Sequence, residues 1–175
     1  MDTILVVSYS HTGTSRQLAR LLCAQNGWPY GEITDAVPRR GLTGTLRCVL
    51  DSLLVRTPSI DYHGPDPADF HLVVLVAPIW VYRLAGPMRT FITGRRDALH
   101  HVALATTMGS AGASNAVSEV GRLLGRPPSL AAAFTAREVL DGSCAQAAAD
   151  FGLALRGQHD GVGDAPESVR GKFAL

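Results

Sequence analysis

The residues best suited to chemistry lie in three short runs, each following an apolar stretch. The first is Ser10-His11-Thr12-Gly13-Thr14-Ser15, in which hydroxyl side chains surround a single glycine. It leaves an almost unbroken apolar run, Ile4-Leu5-Val6-Val7-Ser8-Tyr9, and enters a helical pattern. A helix N-terminus offers backbone N–H groups without partners and the positive end of a dipole. Hydroxyls add donors, and a glycine lets the backbone approach an anion closely. Together these features make a phosphate cradle that needs no lysine. The same run also suits a Ser/Thr-rich turn that does no more than cap a helix.

The second run is Ala77-Pro78-Ile79-Trp80-Val81-Tyr82-Arg83-Leu84-Ala85-Gly86-Pro87. Exposed Trp80 and Tyr82 directly after a buried strand are costly unless they cover something, and aromatic rings favour stacked or edge contacts with another ring. A neighbouring subunit or the following helix would serve them equally well. Arg83 suits a substrate, an acidic partner or plain solvent. The third run, Thr106-Thr107-Met108-Gly109-Ser110-Ala111-Gly112, is small and flexible. Gly109 and Gly112 would let backbone N–H groups reach the polar edge of a ligand. Glycine-rich loops at strand ends are common, however, and many bind nothing.

The surrounding sequence alternates short apolar runs with amphipathic stretches and shows no internal repeat. Strands are predicted at residues 4–9, 71–77, 101–107 and 130–139, with a weaker one at 30–34. Near-continuous apolar runs mark strands buried on both faces. Helices are predicted at about 15–25, 42–55, 87–93, from 115 to about 124, and 144–155, with apolar side chains at helical spacing. Residues 57–70 and 78–85 read as connections, and residues 157–175 as a loose polar tail after a domain spanning 1–156. Buried strands separated by helices imply a parallel sheet with helices on both faces. Five such units and right-handed crossovers favour the order 2-1-3-4-5, with ligands at the carboxyl ends of the strands. All three runs fall at that end.

Composition removes several other classes. The 175 residues are 46% hydrophobic and 18% charged, which fits one globular domain. A net charge of +1 gives no field that would gather nucleic acid. No run reaches the roughly 18 apolar residues of a membrane span. Cys23, Cys48 and Cys144 are far apart and odd in number, which fits neither a zinc site nor a disulfide framework and points to a reducing cytoplasm. Cys23 and Cys48 fall on apolar helix faces, whereas Cys144 follows Gly142-Ser143 and reads as more exposed. Ser8 or Ser10 beside His11 invites a hydrolytic reading, but no Gly-x-Ser-x-Gly elbow is present. His100-His101 reads as structural rather than metal-binding, and no metal is expected.

The first run also lacks the Gly-Lys-Ser/Thr ending of a Walker loop and the three glycines of a dinucleotide fingerprint. It resembles instead the flavodoxin phosphate loop, with Ser10, Thr12, Gly13 and Ser15 at the pattern positions and Thr14 as an added hydroxyl. The second run resembles the flavodoxin-family segment of proline, apolar residue and aromatic, and the third resembles that family's loop along the flavin edge. This likeness to flavodoxins and FMN-dependent NAD(P)H:quinone reductases spans roughly residues 3–155. It implies a three-layer α/β/α sandwich around a five-stranded parallel sheet. It implies FMN as cofactor, with Ser10, His11, Thr12, Gly13, Thr14 and Ser15 at the phosphate. Pro78, Ile79, Trp80, Val81, Tyr82, Thr107, Met108, Gly109 and Gly112 would lie at the ring. No side chain is required as a catalytic acid or base. The implied partners are an electron donor, either NAD(P)H or a redox protein, a small-molecule or protein acceptor, and a second copy in a homodimer. Flavodoxins are strongly acidic, and this chain, with 16 Lys+Arg against 15 Asp+Glu, is not. That departure favours a reductase over an electron carrier. A scaffold holding some other phosphorylated ligand is the non-redox alternative.

Overall fold

The first apolar run forms β1 (Ile4–Tyr9), buried along its whole length. A strand can be buried this way only at the centre of a sheet covered on both faces. β1 accordingly pairs in parallel with β2 (Tyr30–Asp35) on one side and with β4 (Leu72–Trp80) on the other. Its buried serine is satisfied, since Ser8 Oγ lies 2.7 Å from the Tyr30 hydroxyl. β6 (His101–Met108) and β7 (Leu130–Thr135) extend the parallel sheet beyond β4. The structure, a computed structural model, describes residues 4–36, 58–109 and 112–159.

The five parallel strands stand in the order β2-β1-β4-β6-β7, which is the predicted 2-1-3-4-5. Two short antiparallel strands add to them. β3 (Ile60–His63) pairs with β2 at the sheet edge, within a stretch read from sequence as a connection. β5 (Arg83–Leu84) folds back on the end of β4, where the sequence reading placed a loop over 78–85.

Helices cover both faces. Alternation along each strand sends Val6 to one side and Val7 to the other. On the Val6 side lie α1 (Thr14–Asn26), α4 (Ala136–Asp141) and α5 (Ala145–His159), through Leu18, Leu22, Val139, Phe151 and Leu155. On the Val7 side lie α2 (Gly86–Gly94) and α3 (Ala113–Leu124), through Met88, Phe91, Ile92, Val120 and Leu124. Each large side chain so buried contributes about 1.5–3 kcal/mol.

Other boundaries differ from the sequence reading for local reasons. β7 ends at Thr135 rather than at 139 because Thr135 opens α4. Its hydroxyl accepts from the Glu138 N–H at 3.2 Å, and the Glu138 carboxylate accepts from the Thr135 N–H at 2.8 Å. This reciprocal capping box stops a strand and starts a helix within one residue. Cys144, read as more exposed, is buried in the core against α4 and α5. Cys23 is only half-buried. The helix expected at 42–55, with Cys48, lies outside the described residues; of the tail expected at 157–175, residues 157–159 instead continue α5 and the rest lies outside them.

Candidate functional site

β1, β4 and β6 run parallel, so their carboxyl ends deliver the three polar runs to one edge of the sheet. There the runs touch in pairs. Ser15 at the start of α1 meets Thr107 near the end of β6, with their hydroxyl oxygens 2.6 Å apart. The His11 ring meets Trp80 edge-on, with centroids 6.0 Å apart. Gly112 sits so close to the second run that a Cβ there would come within 2.9 Å of Ile79 Cγ2 and 3.0 Å of Tyr82 Cα.

The first loop is closed from within. The Gly13 N–H donates to Ser10 Oγ at 3.0 Å. Gly13 itself has φ +96°, a conformation that L side chains rarely adopt, and it occupies the N-cap position of α1. No side chain caps this helix. The first N–H groups of α1 therefore keep their capacity for an external acceptor. Thr12 is exposed and Thr14 half-buried, with their hydroxyls 3.4 Å apart. Ser15 points the other way, fully buried on Thr107. The hydroxyls of the loop thus divide, with Thr12 and Thr14 turned outward and Ser15 turned into the protein.

The second run is a hairpin rather than an open loop. Ile79 pairs with Leu84 and Trp80 with Arg83, which leaves Val81 and Tyr82 as its two-residue tip. Their φ values of +48° and +61° are what a type I′ turn requires, a role usually given to Asn and Gly. A β-branched residue held there costs on the order of 1–3 kcal/mol. Neighbouring contacts hold the strained tip in place. The Ala85 N–H donates to the Pro78 carbonyl at 3.2 Å, and the Leu84 N–H donates to Glu119 Oε2 at 3.1 Å. Glu119 is buried, and its Oε1 accepts from the equally buried Arg89 guanidinium at 3.2 Å. Val81 and Tyr82 stay exposed at 45% and 59%.

Trp80, half-buried, forms the wall between the first two runs. The Tyr9 ring packs edge-on against it at 5.9 Å, and the Tyr9 hydroxyl donates to Asp35 at 2.9 Å. Neither Tyr9 nor the Arg89–Glu119 pair was among the residues expected from sequence. The available signals were an aromatic residue ending a central strand and single charges within otherwise apolar helix faces. Met108 is half-buried and Gly109 exposed at the end of β6. Gly112, at φ +111°, begins α3 as Gly13 begins α1, again with no side-chain cap. Two glycine-headed helix N-termini thus flank one aromatic wall.

Cys144 lies in the core on the Val6 side, and Cys23 packs against that core. Burial pushes the Cys23 thiol up to about 11 and raises that of Cys144, so neither is an activated nucleophile. His101 stacks on His71, with centroids 4.5 Å apart, at the start of β6 rather than at its end. Among the described residues no group of three or more His, Cys, Asp or Glu side chains could hold a metal ion, and no helix is long and apolar enough to cross a membrane.

A parallel sheet in this order, covered on both faces and with its loops gathered at the carboxyl edge, is the flavodoxin-like fold. Solved structures agree. A flavoprotein from Lactobacillus acidophilus, crystallised in complex with FMN, superposes with a TM-score of 0.66 at 18% identity, over 81% of this chain and 98% of that one. Flavoproteins described as putative from Bacteroides uniformis and Bacteroides eggerthii give TM-scores of 0.62 and 0.61, each at 19% identity. They match 81% and 79% of this chain, and 97% and 94% of their own. No family model matches the sequence, and no curated protein matches it.

Proposed function

We propose that this protein binds FMN at the carboxyl edge of its sheet and uses it to transfer electrons. The observation that carries this reading is the pairwise meeting of the three runs around Trp80, between two helix N-termini without side-chain caps. The FMN complex of the Lactobacillus flavoprotein supports the same assignment. The residues present fit the group. The outward Thr12 and Thr14 hydroxyls and the N–H groups after Gly13 suit a phosphate dianion. Trp80, with Tyr82 on the hairpin tip, offers aromatic surface to a flat ring. Gly109, exposed at the end of β6 with open space beside it, would let backbone groups approach the polar edge of that ring.

When bound, FMN supplies hydride and single-electron chemistry, while the protein supplies position and electrostatics. Thr12 and Thr14 would anchor the phosphate end. Tyr9 and His11 each pack against Trp80 with their rings near perpendicular to the indole, which would help hold it in position. The balanced charge favours an NAD(P)H-dependent reductase with a quinone-like acceptor over an acidic electron carrier. The cysteine pattern supports a reducing, cytoplasmic setting.

Titration of the purified protein with FMN should give saturable quenching of flavin fluorescence and a shifted visible envelope. Absence of binding at high FMN would remove the flavin reading and turn attention to other phosphorylated ligands. With FMN bound, NADPH oxidation coupled to a soluble quinone tests the reductase. Reduction of the flavin only by dithionite would leave the carrier. Trp80→Ala should alter the absorption envelope or the reduction potential of bound FMN. An unchanged spectrum, potential and affinity would take Trp80 out of the ring contact.

A further inference from the structure

Beside the hairpin lies a groove that shares only Tyr82 with the proposed ring contact. Its volume is about 470 Å³, and its walls are Tyr82 and Arg83 on one side and Asn115, Ser118, Glu119 and Arg122 on the other. Residues 115, 118, 119 and 122 share one face of α3, since i, i+3, i+4 and i+7 stack on a helix. Asn115 lies in the first turn, near the positive end of the helix dipole.

The charge balance of this groove is one-sided. Glu119 contributes no free negative charge, because its two oxygens are taken by the Arg89 guanidinium and the Leu84 N–H. Arg83 and Arg122 pair with no carboxylate among the described residues. Two guanidinium groups, a side-chain amide and a hydroxyl therefore line one concavity, which runs from the first turn of α3 to its last. Arginine forks match the paired oxygens of phosphate and diphosphate groups. The volume lies within the range of small-molecule sites, and the exposed Tyr82 ring at the mouth suits whatever the phosphate is attached to.

We infer that this groove is a second anion site, which takes the phosphate or diphosphate end of a small molecule other than the one held by the loop at 10–15. The inference does not rest on the flavin reading. It is tested by titrating inorganic pyrophosphate into the whole protein, with and without saturating FMN, and following backbone amide shifts by NMR. Saturable shifts should appear at residues 82–84 and 113–122 in both samples. Arg83→Gln with Arg122→Gln should weaken that binding about tenfold or more, as expected for lost charge-assisted hydrogen bonds, with an unchanged melting temperature. Shifts confined to residues 10–15, equal affinity in the double variant, or no saturable shift would each overturn the inference. So would tighter binding of poly-glutamate than of pyrophosphate with the same variant sensitivity, which would assign the groove to an acidic protein. If FMN itself fails to bind, the map from the FMN-free sample still decides between the two anion sites.

Discussion

Glu119→Ala is expected to lower the unfolding free energy by about 3–5 kcal/mol, because it leaves the Arg89 guanidinium buried without its carboxylate. The side chains of Arg89 and Glu119 are only 1% and 5% exposed, so water cannot replace the lost partner. The substitution also removes the acceptor of the Leu84 N–H, one of the bonds that pin β5 under the strained tip at Val81 and Tyr82. Urea unfolding measures the loss, and a change below about 1 kcal/mol would mean that the pair is solvated in solution. Arg89→Met combined with Glu119→Leu should recover most of the deficit, since two apolar groups replace two charges. The remaining difference would report the orphaned Leu84 N–H. In the same variants, hydrogen exchange at Leu84 should quicken before exchange in β4 does, which separates loosening of the hairpin from loosening of the sheet.

The central strands were readable because burial on both faces leaves little choice of residue. Leu72 to Ala77 and Val102 to Ala105 are apolar because no position along them meets water. β3 escaped notice for the opposite reason. Its residues alternate between half-buried and exposed at an edge, and prolines surround it. The hairpin at β5 carried no turn signal, because Val81 and Tyr82 occupy positions that Asn and Gly usually mark. Its conformation is imposed from outside, by Gly112 and Glu119, which lie about thirty residues further along the chain. The capping box at Thr135 and Glu138 was legible as Thr-x-x-Glu and would have ended β7 correctly. In the phosphate-type loop, residue types alone could not say which hydroxyls face outward. That depends on Thr107, ninety-two positions away, which draws Ser15 inward.

This division of the hydroxyls sharpens the other large expected effect. Thr12→Ala with Thr14→Ala should weaken FMN binding by about a hundredfold or more. Each hydroxyl lost from a charged phosphate costs about 1.5–3 kcal/mol, and about 1.4 kcal/mol is a factor of ten. The two threonine hydroxyls face each other at 3.4 Å and neither is buried, so stability should change by no more than about 0.5 kcal/mol. Ser15→Ala should behave in reverse. It strands the Thr107 hydroxyl in the core, at a stability cost of about 1–3 kcal/mol, while the outward donors stay in place. Paired measurements of FMN affinity and urea stability on the two variants therefore cross over if the loop works as its geometry indicates. If Ser15→Ala instead loses affinity at unchanged stability, the serine must leave Thr107 and turn outward when the phosphate arrives. Loss of neither property in the threonine variant would leave the backbone N–H groups after Gly13 as the whole of the phosphate site, and the hydroxyls as bystanders.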